Sequence, residues 1–229
     1  MPKRTYRPRK TRRRSRKSYR KRSRRLVFTK APIPNKFAAK LRYWDWAVID
    51  PGLAGTAGTY ILSCNSLFDP NTTGVGHQPR GFDQYMTMYD HYTVIGCKVT
   101  AVFTQDYAGT YDPLVVGVAL KDSATAYTDV NDYMEGRNIK SRTLAASTTG
   151  ENPNAITITK TFSTRKFLGI THPLSSANCR GNATSGPGEQ AYFHLFVAPI
   201  TTNDNNQMRV HYRLEYLTIF TEPKQPSQS

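Results

Sequence analysis

MRVHYRLEYLTIF, residues 208 to 220, sets the tightest limit on the fold. Met208, Val210, Tyr212, Leu214, Tyr216 and Phe220 fall on one side of a two-residue period, and Arg209, His211, Arg213 and Glu215 on the other. A strand buries the first set and wets the second, whereas a helix would scatter both around its circumference. Seven further β-type runs precede it, bounded by Gly, Pro, Asn and Asp clusters. The eight spans are roughly 38–49, 58–65, 93–104, 114–121, 139–147, 155–163, 191–199 and 207–221. In the third, Ile95, Cys97, Val99, Ala101 and Phe103 alternate with Gly96, Lys98, Thr100 and Val102. In the seventh, Phe193, Leu195 and Val197 alternate with Tyr192, His194 and Phe196, so apolar groups line both faces.

Two segments break this rhythm. In GFDQYMTMYDHY, residues 81–92, Phe82, Tyr85, Tyr89 and Tyr92 recur at helical spacing, with Asp83 placed to help cap the start. Aromatics of this kind can stack on bases, but one face at helical spacing reads as packing. In TDVNDYMEG, residues 128–136, Asp129, Asp132 and Glu135 share a face of a short helix stopped by Gly136. Such carboxylates are the hard ligands that calcium takes; a solvated face is the reading preferred, and no metal or other cofactor is expected. Eight strands, few helices and long polar loops such as Ser175 to Gln190 describe an all-β sandwich or jelly roll.

Charge divides the chain. Residues 1–42 hold 19 of its 32 Lys and Arg and none of its 16 Asp and Glu. The other 187 residues carry 32 − 19 = 13 bases against 16 acids, a net −3. In RRRSRKSYRKRSRR, residues 12–25, arginine outnumbers lysine, as suits bidentate pairing with phosphate. Between Pro2 and Arg25 only Tyr6 and Tyr19 offer large apolar groups, too few to offset the entropy of ordering mutually repelling charges. The expected organisation is a disordered basic arm over 1–36, a shell of strands over 37–222 and a short tail over 223–229. Ala31-Pro-Ile-Pro-Asn35 forms the junction, since its prolines stop a helix from crossing.

Arg4, Arg7, Arg9, Lys10, Arg12, Arg13, Arg14, Arg16, Lys17, Arg20, Lys21, Arg22, Arg24 and Arg25 are the candidate nucleic-acid-binding residues. Such a segment reads phosphate and not sequence, through counterion release. A nuclear import address needs only about five to eight basic residues, so this run exceeds that role and accommodates both.

Motifs for catalysis are missing: there is no G-x-S-x-G, H-E-x-x-H, Walker loop or G-x-G-x-x-G, and no enzyme is expected. His77, His91, His172, His194 and His211 are scattered, without ligand neighbours at helical spacing. Cys64, Cys97 and Cys179 are odd in number and far apart, which predicts buried free thiols. No stretch of 18 apolar residues and no secretory leader is present, so membrane insertion and secretion are not expected.

With the basic arm and the proline junction in place, PRGFDQYMTMYDHYTVIGCKVTAVF, residues 79–103, resembles the capsid proteins of circoviruses and related viruses with small circular single-stranded DNA genomes. The resemblance implies an eight-stranded viral jelly roll of two facing four-stranded antiparallel sheets. It further implies a sixty-subunit icosahedral shell of identical subunits, with arms inside on single-stranded DNA. It also implies nuclear import of the protein through the arm by host import machinery, and a cell-surface receptor for the virion. The Cys/His zinc arrangement of geminivirus coat proteins is missing. Coat proteins of small RNA satellite viruses, and cellular nucleic-acid-binding proteins with basic tails, stand as alternatives.

Overall fold

The computed structural model describes residues 33–53, 55–105, 112–146, 155–201 and 207–226. Its strands are β1 (Lys36–Ile49), β2 (Gly58–Ser63), β3 (Tyr89–Gln105), β4 (Leu114–Lys121), β5 (Ile139–Leu144), β6 (Ile156–Ser163), β7 (Arg180–Gly181), β8 (Tyr192–Pro199) and β9 (Met208–Pro223). Three short helices join them: α1 (Phe82–Met88), α2 (Val130–Met134) and α3 (Thr164–Phe167). One sheet runs β1-β9-β3-β6, and the other β2-β8-β4-β5, with antiparallel pairing throughout.

Setting aside the two-residue β7, the first of eight strands pairs with the last, the second with the seventh, the third with the sixth and the fourth with the fifth. That nesting is a long antiparallel hairpin rolled on itself, which is a jelly roll. The eight sequence-derived strands therefore all exist, and they form the two facing sheets expected of them.

The core lies between the sheets. From β9, Met208, Val210, Tyr212, Leu214, Tyr216 and Phe220 all point into it and are buried. Tyrosine hydroxyls there find partners, as buried polar groups must. Tyr216 donates across the sandwich to the Ser63 carbonyl at 2.8 Å, and Tyr92 accepts from the Leu67 and Phe68 amides at 3.1 and 3.3 Å. The three cysteines are buried and free, as their spacing predicts.

β8 is apolar on both faces because the second sheet is also covered from outside. Ala57, Ala119, Tyr133, Phe196 and Ala198 form a separate cluster there, with Tyr133 of α2 stacked on Phe196 at 4.5 Å between ring centroids. Gly117 on β4 leaves room for that ring: a Cβ at this position would stand 2.3 Å from Phe196 Cζ.

Several details depart from the sequence reading. Ile95 points to solvent, not to the core, because the register of β3 on β9 shifts between Val94 and Gly96. The extra residue is a bulge, and it reverses the inward phase within one strand. The helix expected over 81–92 ends at Met88. Tyr89 already has extended backbone, so Tyr89 and Tyr92 are core residues of β3. Asp83 makes no side-chain cap; the helix opens from Gly81, whose φ of 92° lies in the left-handed region. β7 adds a fifth, two-residue strand to the first sheet inside the segment read as a loop.

Candidate nucleic-acid interface

The candidate residues from Arg4 to Arg25 lie outside the described residues. Within the described residues the structure assembles a different basic surface, the solvent face of the β1-β9-β3-β6 sheet. β1 buries Leu41, Tyr43, Ala47 and Ile49, so strand alternation turns Lys40, Arg42, Trp44, Trp46 and Val48 outward. Trp44 and Trp46 are 56% and 47% exposed, the reverse of what large indoles do in a protein interior.

Register places charged and polar groups beside them in rows. Arg42 faces Glu215, which faces Lys98; Trp44 faces Arg213, which faces Thr100; Trp46 faces His211, which faces Val102. Diagonal contacts tie the rows together. The Arg209 guanidinium lies 4.8 Å from the Trp46 ring centroid, a cation–π geometry. The His211 ring stacks on Trp44 at 6.1 Å and 21°.

Glu215 is the carboxylate of these rows. It takes Lys40 at 3.0 Å and Arg42 at 3.4 Å, and the hydrogen bond from Lys40 holds its carboxyl below the usual range. Lys98, Arg209 and Arg213 bring the face to a positive balance. On β6, Thr157, Thr159 and Thr161 continue the surface with hydroxyls.

The separate sequence candidates fall elsewhere. Asp129 caps α2 by accepting from the Asn131 amide at 2.8 Å, Asp132 sits in its first turn and Glu135 is its C-cap. The described residues contain no group of three His, Cys, Asp or Glu that could hold a metal ion, and none of their helices is long and apolar enough to cross a membrane. Desolvation raises the Cys64 and Cys97 thiols well above their ordinary value, the opposite of what a reactive thiolate requires. His194 is fully buried, its Nδ1 3.0 Å from Tyr133 Oη and its Nε2 2.8 Å from the Ser123 carbonyl.

Sequence reasoning missed the tryptophan face. The signal was present in β1, where the larger apolar residues occupy the same parity as Lys40 and Arg42, while Leu41, Tyr43 and Ile49 hold the other.

No protein-family profile and no curated protein matches the chain. Among solved structures it is similar to the BFDV capsid protein in a 60-mer, at 12% identity over 84% of this chain and 98% of that one, with a TM-score of 0.43. It is similar to the shell of a nodavirus of the giant freshwater prawn Macrobrachium rosenbergii at 12% identity over 90% and 93%, TM-score 0.45. A third likeness is to Desmodium yellow mottle tymovirus, 10% identical over 90% and 100%, TM-score 0.40. The jelly-roll assignment rests on strand order and not on these likenesses.

Proposed function

We propose that this chain is the shell subunit of a small icosahedral virus, that sixty copies close the shell, and that the arm neutralises packaged single-stranded DNA and carries a nuclear import address. The observation that carries the proposal is the pairing of an eight-stranded jelly roll with an acid-free segment of nineteen positive charges. A jelly roll satisfies its strands internally and leaves loops at its ends to meet neighbours, which suits a wall. A near-neutral body crowds against copies of itself without strong repulsion. Sixty arms of nineteen charges would offset about 1140 phosphates at roughly one charge each. The circovirus-like stretch at 79–103 favours DNA as the cargo and the nucleus as the site of packaging.

Electron microscopy of the purified chain, beside a full-length variant with every arginine and lysine of 12–25 replaced by glutamine, tests this. Closed uniform particles are expected from both, with severalfold less nucleic acid detected by absorbance in the variant. A fluorescent fusion should enter nuclei only with the parent arm. If the parent forms no closed particle at any salt concentration and binds nucleic acid as a monomer, it is a basic-tailed binding protein and not a shell subunit.

A further inference from the structure

We propose that the solvent face of the β1-β9-β3-β6 sheet is a second nucleic-acid contact, on which Trp44 and Trp46 take unpaired bases of a single strand while Arg209, Arg213 and Lys98 hold its phosphates. The inference rests on the packaging reading for its ligand but concerns the folded body alone.

Two half-exposed indoles on a strand would ordinarily mark a surface waiting for another apolar surface. Here each indole has a cationic or imidazole group stacked beside it, and the surrounding rows set Lys98, Arg209, Arg213 and Thr100 among the smaller apolar groups Val48, Val102 and Leu217. Aromatic rings set in a positive groove are the recurring means of holding single strands without reading sequence, because every base has a π face. Duplex DNA keeps those faces stacked and offers the rings nothing.

Spacing supports the same ligand. Residues two apart on a strand stand about 6.8 Å apart, twice the ~3.4 Å rise per nucleotide of a stacked strand. With Arg209 and His211 against one face of each ring, each indole has its other face for a single base, and two bases held so are spaced as in an opened, unstacked strand. The threonine hydroxyls of β6 and β3 add donors for phosphate oxygens. A second copy of this chain, docked face to face, would bring its own Lys98, Arg209 and Arg213 against these, a repulsive arrangement.

Trp44 and Trp46 are the only two tryptophans in the protein, which makes intrinsic tryptophan fluorescence a reporter of this face. The full chain is titrated with oligothymidylate and, separately, with inorganic polyphosphate, which carries charge but no bases; binding of each is followed independently by sedimentation. Oligothymidylate is expected to quench the emission and polyphosphate to bind without quenching. Trp44→Ala and Trp46→Ala should each weaken oligothymidylate binding by roughly tenfold while leaving polyphosphate affinity unchanged. Equal emission with both polyanions, despite sedimentation showing both bound, would overturn the inference and leave the arm's role intact. Failure of either polyanion to bind would instead strike the packaging reading. Emission that shifts with protein concentration alone would assign the face to a second copy, and the proposal would fall.

Discussion

Lowering the pH from 6.5 to 4 should destabilise the fold through His194. Its ring is enclosed between β8 and the α2 loop, with no exposed surface. Because a carbonyl can only accept, the 2.8 Å contact with Ser123 makes Nε2 the protonated nitrogen, leaving Nδ1 to accept from Tyr133 Oη–H at 3.0 Å. The neutral tautomer thus satisfies both ends. Burial, and after it the Lys121 ammonium, pull the imidazole down to about 4 from its ordinary 6.5, against the Ser123 carbonyl, which favours the charged form. The unfolded chain therefore takes up the proton first on acidification. Stability is complete above about pH 6.5 and falls as pH approaches 4. The gap between the folded and unfolded values corresponds to roughly 3 kcal/mol. Protonation also turns Nδ1 into a donor, which obliges the Tyr133 hydroxyl to turn its proton from His194 to Thr59 Oγ1 at 3.1 Å. Urea unfolding of the parent and of His194→Gln across this range measures the effect. Glutamine can accept and donate at similar positions but does not titrate. The parent should lose up to roughly 1.4 kcal/mol per pH unit more than the variant within the window. Parallel curves, or a His194 imidazole titrating near 6.5 by NMR, would refute the reasoning.

Gly117→Ala should destabilise the protein by about 1–3 kcal/mol, since its methyl would stand 2.3 Å from Phe196 Cζ and push that ring off Tyr133; a change within about 0.5 kcal/mol in urea would mean the ring is not held. Tyr216→Phe removes the 2.8 Å bond between the sheets and strands the Ser63 carbonyl in the core. A loss of about 1–2 kcal/mol is expected, and an unchanged midpoint would show that Ser63 finds another donor.

The sequence displayed the long-period features well, and its failures share a cause. β9 was legible because six inward positions keep one parity over thirteen residues, and no other element tolerates that pattern. Period-two reading counts residues, so it continued through Val94 and Gly96 and put Ile95 inside, where one uncounted bulge residue sends it to solvent. Helical spacing likewise ran on through Tyr89 and Tyr92, since aromatics buried by a strand can fall by chance at intervals that a helix would also bury. β7 has only two residues, too few to alternate. What fixes it is tertiary: Gly181 pairs with Tyr92, and a Cβ there would come 2.3 Å from the tyrosine ring. The basic arm was visible as a charge run, but the tryptophan face needed β1 divided by parity and then set beside β9, and that pairing of residues some 170 positions apart is a property of the rolled hairpin.

That face also changes the meaning of the body's net charge. Residues 43–229 sum to −3, yet Lys98, Arg209 and Arg213 against Glu215 give the face +2 from within them, so the remaining positions sum to −5. Lys40 and Arg42 at the start of β1 add to the positive rows. A positive sheet face gives the chain a preferred side toward a polyanion. Glu215 limits the attraction by neutralising part of Lys40 and Arg42. Its removal should therefore strengthen retention of nucleic acid and steepen the salt dependence, whereas a purely structural carboxylate would alter neither.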